Sequence, residues 1–180
     1  MTVRVSFVRH GRTAWNADHR LLGWTDVGLD EFGVRQAAAL GSQIRADAFG
    51  SIWTSDLGRA VATAGHAGWA ASADARLREI DFGELEGLTW TGLSAEVRQA
   101  LATFDGFVAP GGESTAAFIT RLREFLDGLS PGSHLVVTHG GVIRAVLRIC
   151  GVTAGFPEHG SVYTVDWTAR RLLTVQTPTT

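Results

Sequence analysis

Residues 133–141 read Ser133-His134-Leu135-Val136-Val137-Thr138-His139-Gly140-Gly141. Residues 133–138 are a nearly continuous apolar run, too short for a helix. A strand buried on both faces looks like this, and such strands belong to parallel sheets. Two glycines then open a second apolar stretch that runs as a helix to Cys150. Strand, polar turn and helix in that order make half of a βαβ unit. The same order recurs outward from it. Residues 3–8 (VRVSFV) form a first strand ended by Gly11, and residues 51–54 (SIWT) a short second one. Residues 29–47 read as an amphipathic helix capped by Asp30, with Leu29, Phe32, Gln36, Leu40 and Ile44 near one face. Ser55 or Asp56 can cap a helix running to about Trp69. Residues 75–81 look extended, and 91–103 and 114–128 helical, the latter starting at Ser114. Residues 161–167 and 170–176 close the chain as a strand pair about Thr168-Ala169, which requires one antiparallel member. The expected architecture is a three-layer α/β/α sandwich, mostly parallel with one antiparallel strand. It forms one domain over residues 1–180, with the turn-rich 82–113 as its cap or rim.

Composition narrows the function. The chain has 180 residues, 45% hydrophobic and 19% charged, with a net charge of −2. That is globular composition with no basic excess to draw nucleic acid. No apolar run is long enough to span a bilayer. The N-terminus lacks a secretory layout, so the expected location is cytoplasmic. Cys150 stands alone and can make neither an internal disulfide nor a zinc cluster; it reads as a buried structural thiol. All 16 basic residues are arginine. Any anion site must therefore be built from Arg, His and backbone N–H groups.

In open α/β sheets, ligands bind beyond the carboxyl ends of the strands. Three such ends here carry chemistry: Arg9-His10-Gly11, Ser55 with Arg59 one helical turn on, and Thr138-His139-Gly140. Two histidines and two arginines facing one crevice suit phosphoryl transfer, whose transferring group spreads charge over three oxygens. Arginine forks and helix N-termini hold such oxygens. A histidine attacks only when neutral, and adjacent guanidiniums lower its pKa. A backbone carbonyl near Gly11 can hold its other ring nitrogen and fix the tautomer. The leaving alkoxide needs a proton, and Glu79 in Arg76-Leu77-Arg78-Glu79-Ile80-Asp81 is a candidate donor, its pKa raised by bound phosphate and by Asp81 and Glu84. It can equally pair with Arg76 or Arg78 at the surface. No metal-binding spacing involves His10 or His139, and no metal or cofactor is expected.

Read together, Arg9-His10-Gly11-Arg12-Thr13-Ala14-Trp15-Asn16, Gly23-Trp24-Thr25-Asp26, Ser55-Asp56-Leu57-Gly58-Arg59-Ala60, Leu77-Arg78-Glu79-Ile80, Pro110-Gly111-Gly112-Glu113-Ser114 and Thr138-His139-Gly140-Gly141 resemble the ordered motifs of the histidine phosphatase, or phosphoglycerate mutase-like, superfamily. The resemblance covers nearly the whole chain. It implies a phosphoglycerate mutase-like fold and His10 as the phosphorylated nucleophile. Arg9, Arg59 and His139 would complete the phosphate pocket, Glu79 would be the proton donor, and Asn16 a phosphate contact. Thr13 and Gly140 fall in the same substrate-contacting set. Arg12 is either a further cation for a second anionic group or a paired surface residue. Trp15, Trp24 and Trp90 line the rim or, for Trp15 and Trp24, pack inside. His159 can overhang the site; His19, His66 and His134 read as surface or helix-face residues.

The superfamily includes mutases and phosphatases. Mutases resemble one another in carrying Glu where this chain has Arg12, and a Lys after the Glu86-Gly87 position, where this chain has none. Arg98 is the only arginine between residues 79 and 120, in place of a longer mutase insertion. A metal-independent phosphomonoester hydrolase acting on a small phosphorylated metabolite is therefore expected. A cofactor-dependent phosphoglycerate mutase is the alternative, and a non-catalytic phospho-ligand binder the third. A homodimer is possible; no nucleic acid or membrane partner is expected.

Overall fold

The computed structural model describes residues 1–104 and 106–178. Six strands form one sheet: β1 (Val3–Arg9), β2 (Ser51–Thr54), β3 (Ser72–Ala73), β4 (Gly132–Thr138), β5 (Val162–Asp166) and β6 (Arg171–Gln176), in the order β3-β2-β4-β1-β5-β6. The first four are mutually parallel, and β5 runs antiparallel to both β1 and β6. The expected single antiparallel strand is thus β5.

The two most apolar strands, β4 and β1, sit at the centre because both of their faces are covered. Val5, Phe7 and Val136 face one core; Val8, Leu135 and Val137 face the other. On the first side lie α5 (Thr115–Asp127) and α6 (Gly140–Ile149), which bring Phe118, Leu122, Ile143 and Leu147 to the sheet. On the second side, α2 (Glu31–Gln43) and α3 (Gly58–His66) bring Leu40, Ala60 and Ala64. A short α1 (Ala14–Ala17) follows β1, and α4 (Ala95–Thr103) lies in the turn-rich 82–113 segment. Leu93, Leu101 and Phe107 tie that segment to the first core. Among the described residues, no helix is long and apolar enough to cross a membrane.

Several local expectations are corrected. Helix α2 does start after Asp30, whose Oδ1 accepts the Gly33 N–H at 2.7 Å, but it ends at Gln43. Its buried stripe is Gly33, Ala37 and Leu40. Phe32 is exposed beneath the guanidiniums of Arg12 and Arg35, and Gln36 accepts the Arg12 N–H. Neither Ser55 nor Asp56 is the N-cap of α3. Leu57 holds that position without a side-chain bond, because the Asp56 carboxylate is taken by the Arg78 fork at 2.6–2.7 Å. Residues 75–81 are not extended: β3 comes earlier, and Ala75–Leu77 is a 3₁₀ turn capped by Asp74. A separate 3₁₀ turn, Trp90–Gly92, precedes α4, which starts only at Ala95. His134 is buried inside β4, between the Ser51 hydroxyl and the Ser130 carbonyl. Cys150, at the end of α6, is half-buried.

The register positions the site. Arg9 pairs with Thr138, and Thr54 with Val137. The His10 N–H donates to Thr138 O and the Ser55 N–H to Val137 O, each at 2.9 Å. Strands β1, β2 and β4 therefore leave the sheet side by side.

Candidate active site

His10 follows the last residue of β1 and is 3% exposed. Its Nδ1 lies 2.7 Å from Gly11 O. A carbonyl only accepts, so Nδ1 carries the proton and the lone pair is on Nε2. That nitrogen faces Arg59 Nε at 3.3 Å. Burial holds the His10 pKa well below the ordinary imidazole value, and Arg59, His139, Arg9 and His159 push it the same way. The imidazole is neutral at physiological pH. Gly11 is needed here for space: a Cβ would collide with the Gly33 carbonyl of α2.

Arg59 is fully buried. Its Nη2 donates to Gly23 O at 2.6 Å and its Nη1 to Thr25 O at 3.2 Å, which aims the remaining edge at His10. Arg9 donates from Nη1 to Pro157 O at 2.5 Å and lies under the Phe156 ring. Burial lowers both guanidiniums to about 10, opposed by the Glu79 charge, so both remain cations at neutral pH. His139 stands edge-on to His10 with centroids 5.1 Å apart. Both of its ring nitrogens, and Arg9 Nε, are buried without a hydrogen-bond partner. Buried polar atoms left unpaired in a native fold call for an explanation. Here they cluster beside two guanidiniums.

Glu79 is buried, and the surface pairing is absent: Arg76 pairs with Asp74, and Arg78 with Asp56. Its Oε2 accepts the Gly141 N–H at the start of α6 at 2.8 Å, and Oε1 the Ile80 N–H at 3.0 Å. Burial raises its pKa; those N–H groups, with Arg59 and Arg9, oppose the rise without cancelling it. Neighbouring acids are not the cause, contrary to expectation. A Cβ on Gly141 would overlap the Glu79 carboxylate. Gly141→Ala is expected to displace the carboxyl from the start of α6 while folding is retained, measured by a crystal structure of the variant and by thermal melting.

The other expected residues divide. Thr13 and Asn16 cap each other at α1: Asn16 Oδ1 accepts from the Thr13 N–H and hydroxyl, and Thr13 Oγ1 accepts the Asn16 N–H. The Asn16 amide nitrogen keeps its donors. Arg12 is paired, with Nε 2.7 Å from Asp30 Oδ2. Gly140 begins α6, and Phe156 packs against it so closely that a Cβ there would come within 2.6 Å of the ring. Trp24 is not core: it is 38% exposed, donates from Nε1 to Glu79 O at 2.8 Å and lies under Arg78. Trp15 is half-buried against Gly87, and Trp90 is exposed. His159 does lie beside the site; its Nδ1 donates to His10 O at 3.0 Å, with the two rings 5.4 Å apart.

Three supporting residues escape sequence reasoning. Glu86 accepts the Trp24 and Thr25 N–H groups, each at 2.7 Å, and so holds the loop whose carbonyls grip Arg59. Glu113 and Arg121 form an ion pair behind Glu79. Glu86 and Glu113 sit in motif stretches and could have been singled out; nothing marks Arg121 in the sequence. Among the described residues, no group of three His, Cys, Asp or Glu side chains could hold a metal ion.

The sequence and the fold resemble those of known proteins. The chain is 35% identical over 169 residues to a protein of Yersinia enterocolitica named probable phosphoglycerate mutase GpmB, covering 87% of this chain and 77% of that one. The crystal structure of TTHB049 from Thermus thermophilus superposes with a TM-score of 0.89 at 44% identity, covering 96% of this chain and 98% of the other. A structure from Escherichia coli, described as a putative alpha-ribazole-5'-P phosphatase, shares the fold with a TM-score of 0.81 at 24% identity, over 100% and 97% of the two chains. The family model of the histidine phosphatase superfamily (branch 1) matches residues 5–176, and the chain belongs to that superfamily.

Proposed function

We propose that the chain is a metal-independent phosphomonoester hydrolase working through a phosphohistidine at His10 on a small phosphorylated metabolite. The observation that carries this reading is the neutral His10 ring with Nε2 facing Arg59, beside the unpaired nitrogens of His139 and Arg9. A dianionic phosphoryl group can accept from Arg59, from the unpaired Arg9 Nε–H and from one ring N–H of His139.

Two half-reactions make up the proposed cycle. Arg9, Arg59 and His139 hold the phosphoryl oxygens, with Asn16 and the Gly140 N–H as further donors. His10 Nε2 attacks phosphorus as the ester P–O bond breaks, and the leaving oxygen takes the proton of Glu79. In the second half, the Glu79 carboxylate removes a proton from water. The hydroxyl attacks phosphorus, the P–N bond breaks, and inorganic phosphate leaves with Glu79 protonated again.

Hydrolysis is favoured over phosphoryl return to an organic acceptor by what the cations near the rim are doing. Arg12 is bound to Asp30, and Arg98 donates to Thr91 O and Leu93 O within the 82–113 segment. The Arg12 charge is already met by Asp30, and Arg98 Nη1 is turned back onto its own segment, which disfavours their holding the second acidic group of a bisphosphorylated intermediate. The name of the Yersinia relative supports the mutase reading instead. One assay separates them: 3-phosphoglycerate with and without 2,3-bisphosphoglycerate, followed for phosphate and for isomer. Phosphate release without a need for the bisphosphate is expected; bisphosphate-dependent isomerisation with little phosphate overturns the hydrolase reading.

A further inference from the structure

We propose that Arg121, locked to Glu113, is a positioning residue that sets the Glu79 carboxyl for proton transfer. This inference rests on the reading of Glu79 as proton donor.

Glu79 sits on backbone that no regular element holds. The 3₁₀ turn ends at Leu77, and residues 78–82 belong to neither helix nor strand. Such a segment has no hydrogen-bond ladder to fix it, yet proton transfer needs the donor placed to a fraction of an ångström. Arg121 supplies the missing constraint from α5. A guanidinium has five N–H donors in a rigid fork. Nη1 donates to Arg76 O and Arg78 O, each at 2.8 Å. Nη2 donates to Glu79 O and Glu113 Oε2, each at 2.8 Å, and Nε to Glu113 Oε1 at 2.7 Å. The fork thus spends itself on the segment carrying Glu79 and on one carboxylate.

Glu113 extends the grip past Glu79. Its N–H donates to Asp81 O at 2.9 Å, and its Oε2 accepts the Asp81 N–H at 3.4 Å. Backbone on both sides of Glu79 is therefore held by one largely buried ion pair, with side chains 16% and 13% exposed. On the far side, Thr138 Oγ1 donates to Leu77 O, Trp24 Nε1 donates to Glu79 O, and the Gly141 N–H donates to the carboxyl itself. With the clamp present, the carboxyl has one place to be, against the start of α6. Lysine keeps the charge at 121 but offers a point donor without the fork.

The test compares wild type, Arg121→Lys, Glu113→Gln and Glu79→Gln, each with an alkyl phosphate and with p-nitrophenyl phosphate. In a two-stage reaction kcat/KM reports only the steps through loss of the leaving group, where the proton is needed. Arg121→Lys should lower kcat/KM for the alkyl phosphate by about 10- to 10²-fold and for the aryl phosphate by less than about 3-fold. The base-side limb of the alkyl kcat/KM profile should move to lower pH, since a looser carboxyl is less desolvated. Glu113→Gln should repeat the pattern more weakly, and it carries the test if Arg121→Lys does not fold. In a Glu79→Gln background, Arg121→Lys should add no leaving-group-selective loss. Equal losses on both substrates, or a lower melting temperature with kinetics unchanged, overturn the clamp while a selective Glu79→Gln effect leaves the donor standing. A Glu79→Gln variant without selectivity overturns both.

Discussion

His10→Ala is expected to abolish turnover, with kcat falling by at least about 10⁴-fold, the scale seen when a nucleophile is removed from a site that acts as a unit. Two buried neutral imidazoles lie 5.1 Å apart, so the choice between them has to be argued. His10 is bound on Nδ1 by the adjacent Gly11 carbonyl, which leaves one lone pair in one direction. His139 has no partner on either nitrogen and so no fixed tautomer. Only the first is prepared to attack. Wild-type protein denatured in alkaline detergent during turnover should carry a base-stable, acid-labile phosphoryl group at His10, and His10→Ala none. Label retained by His10→Ala and lost in His139→Ala would reverse the two roles.

The parts of this molecule legible in its sequence are those fixed by short-range pattern. The apolar run of β4 announces a central strand, and the polar residues directly after β1 and β4 place His10 and His139 at one edge. His10, Arg9 and Arg59, the proposed nucleophile and pocket arginines, can be picked out because each lies at a strand end or in the first turn of the helix that follows. Local pattern alone leaves Glu79 divided between a surface pair and a proton donor, and only the family resemblance picks out the donor. Its neighbours Arg76 and Arg78 look like partners in one dimension, but in three they belong to Asp74 and Asp56. Arg121 is not marked in the sequence because three of its bonds go to main-chain carbonyls more than 40 residues away, which no side-chain pattern records. His134 differs from its sequence reading for a related reason: a histidine in a strand reads as surface, but Ser51 and the Ser130 carbonyl satisfy both of its nitrogens and allow burial. Local pattern specified the chemistry's first contacts, and long-range backbone capture specified their precision.

Glu79→Gln is the second large effect, and its signature is selectivity. Glutamine preserves the shape but has no proton to give. An alkoxide is a much stronger base than a nitrophenolate and cannot leave unprotonated, so kcat/KM for an alkyl phosphate should fall by about 10²- to 10⁴-fold, the usual range for a general acid. For p-nitrophenyl phosphate the loss in kcat/KM should be small. The sign of the pH dependence follows from burial. The donor is competent below its pKa and is lost as pH rises through it. Because burial raises the Glu79 pKa above that of an ordinary carboxyl, wild-type turnover of alkyl phosphates should persist to higher pH than a solvated glutamate allows. Glu79→Gln should erase that limb. The same residue is asked to activate water in the second stage, so p-nitrophenyl phosphate should give the variant a rapid release of about one equivalent of nitrophenol, then slow turnover as the phosphohistidine waits for water. A loss of equal size on both substrates, without that burst, would remove Glu79 from the proton path and leave its buried carboxyl as a brace for the N-terminus of α6.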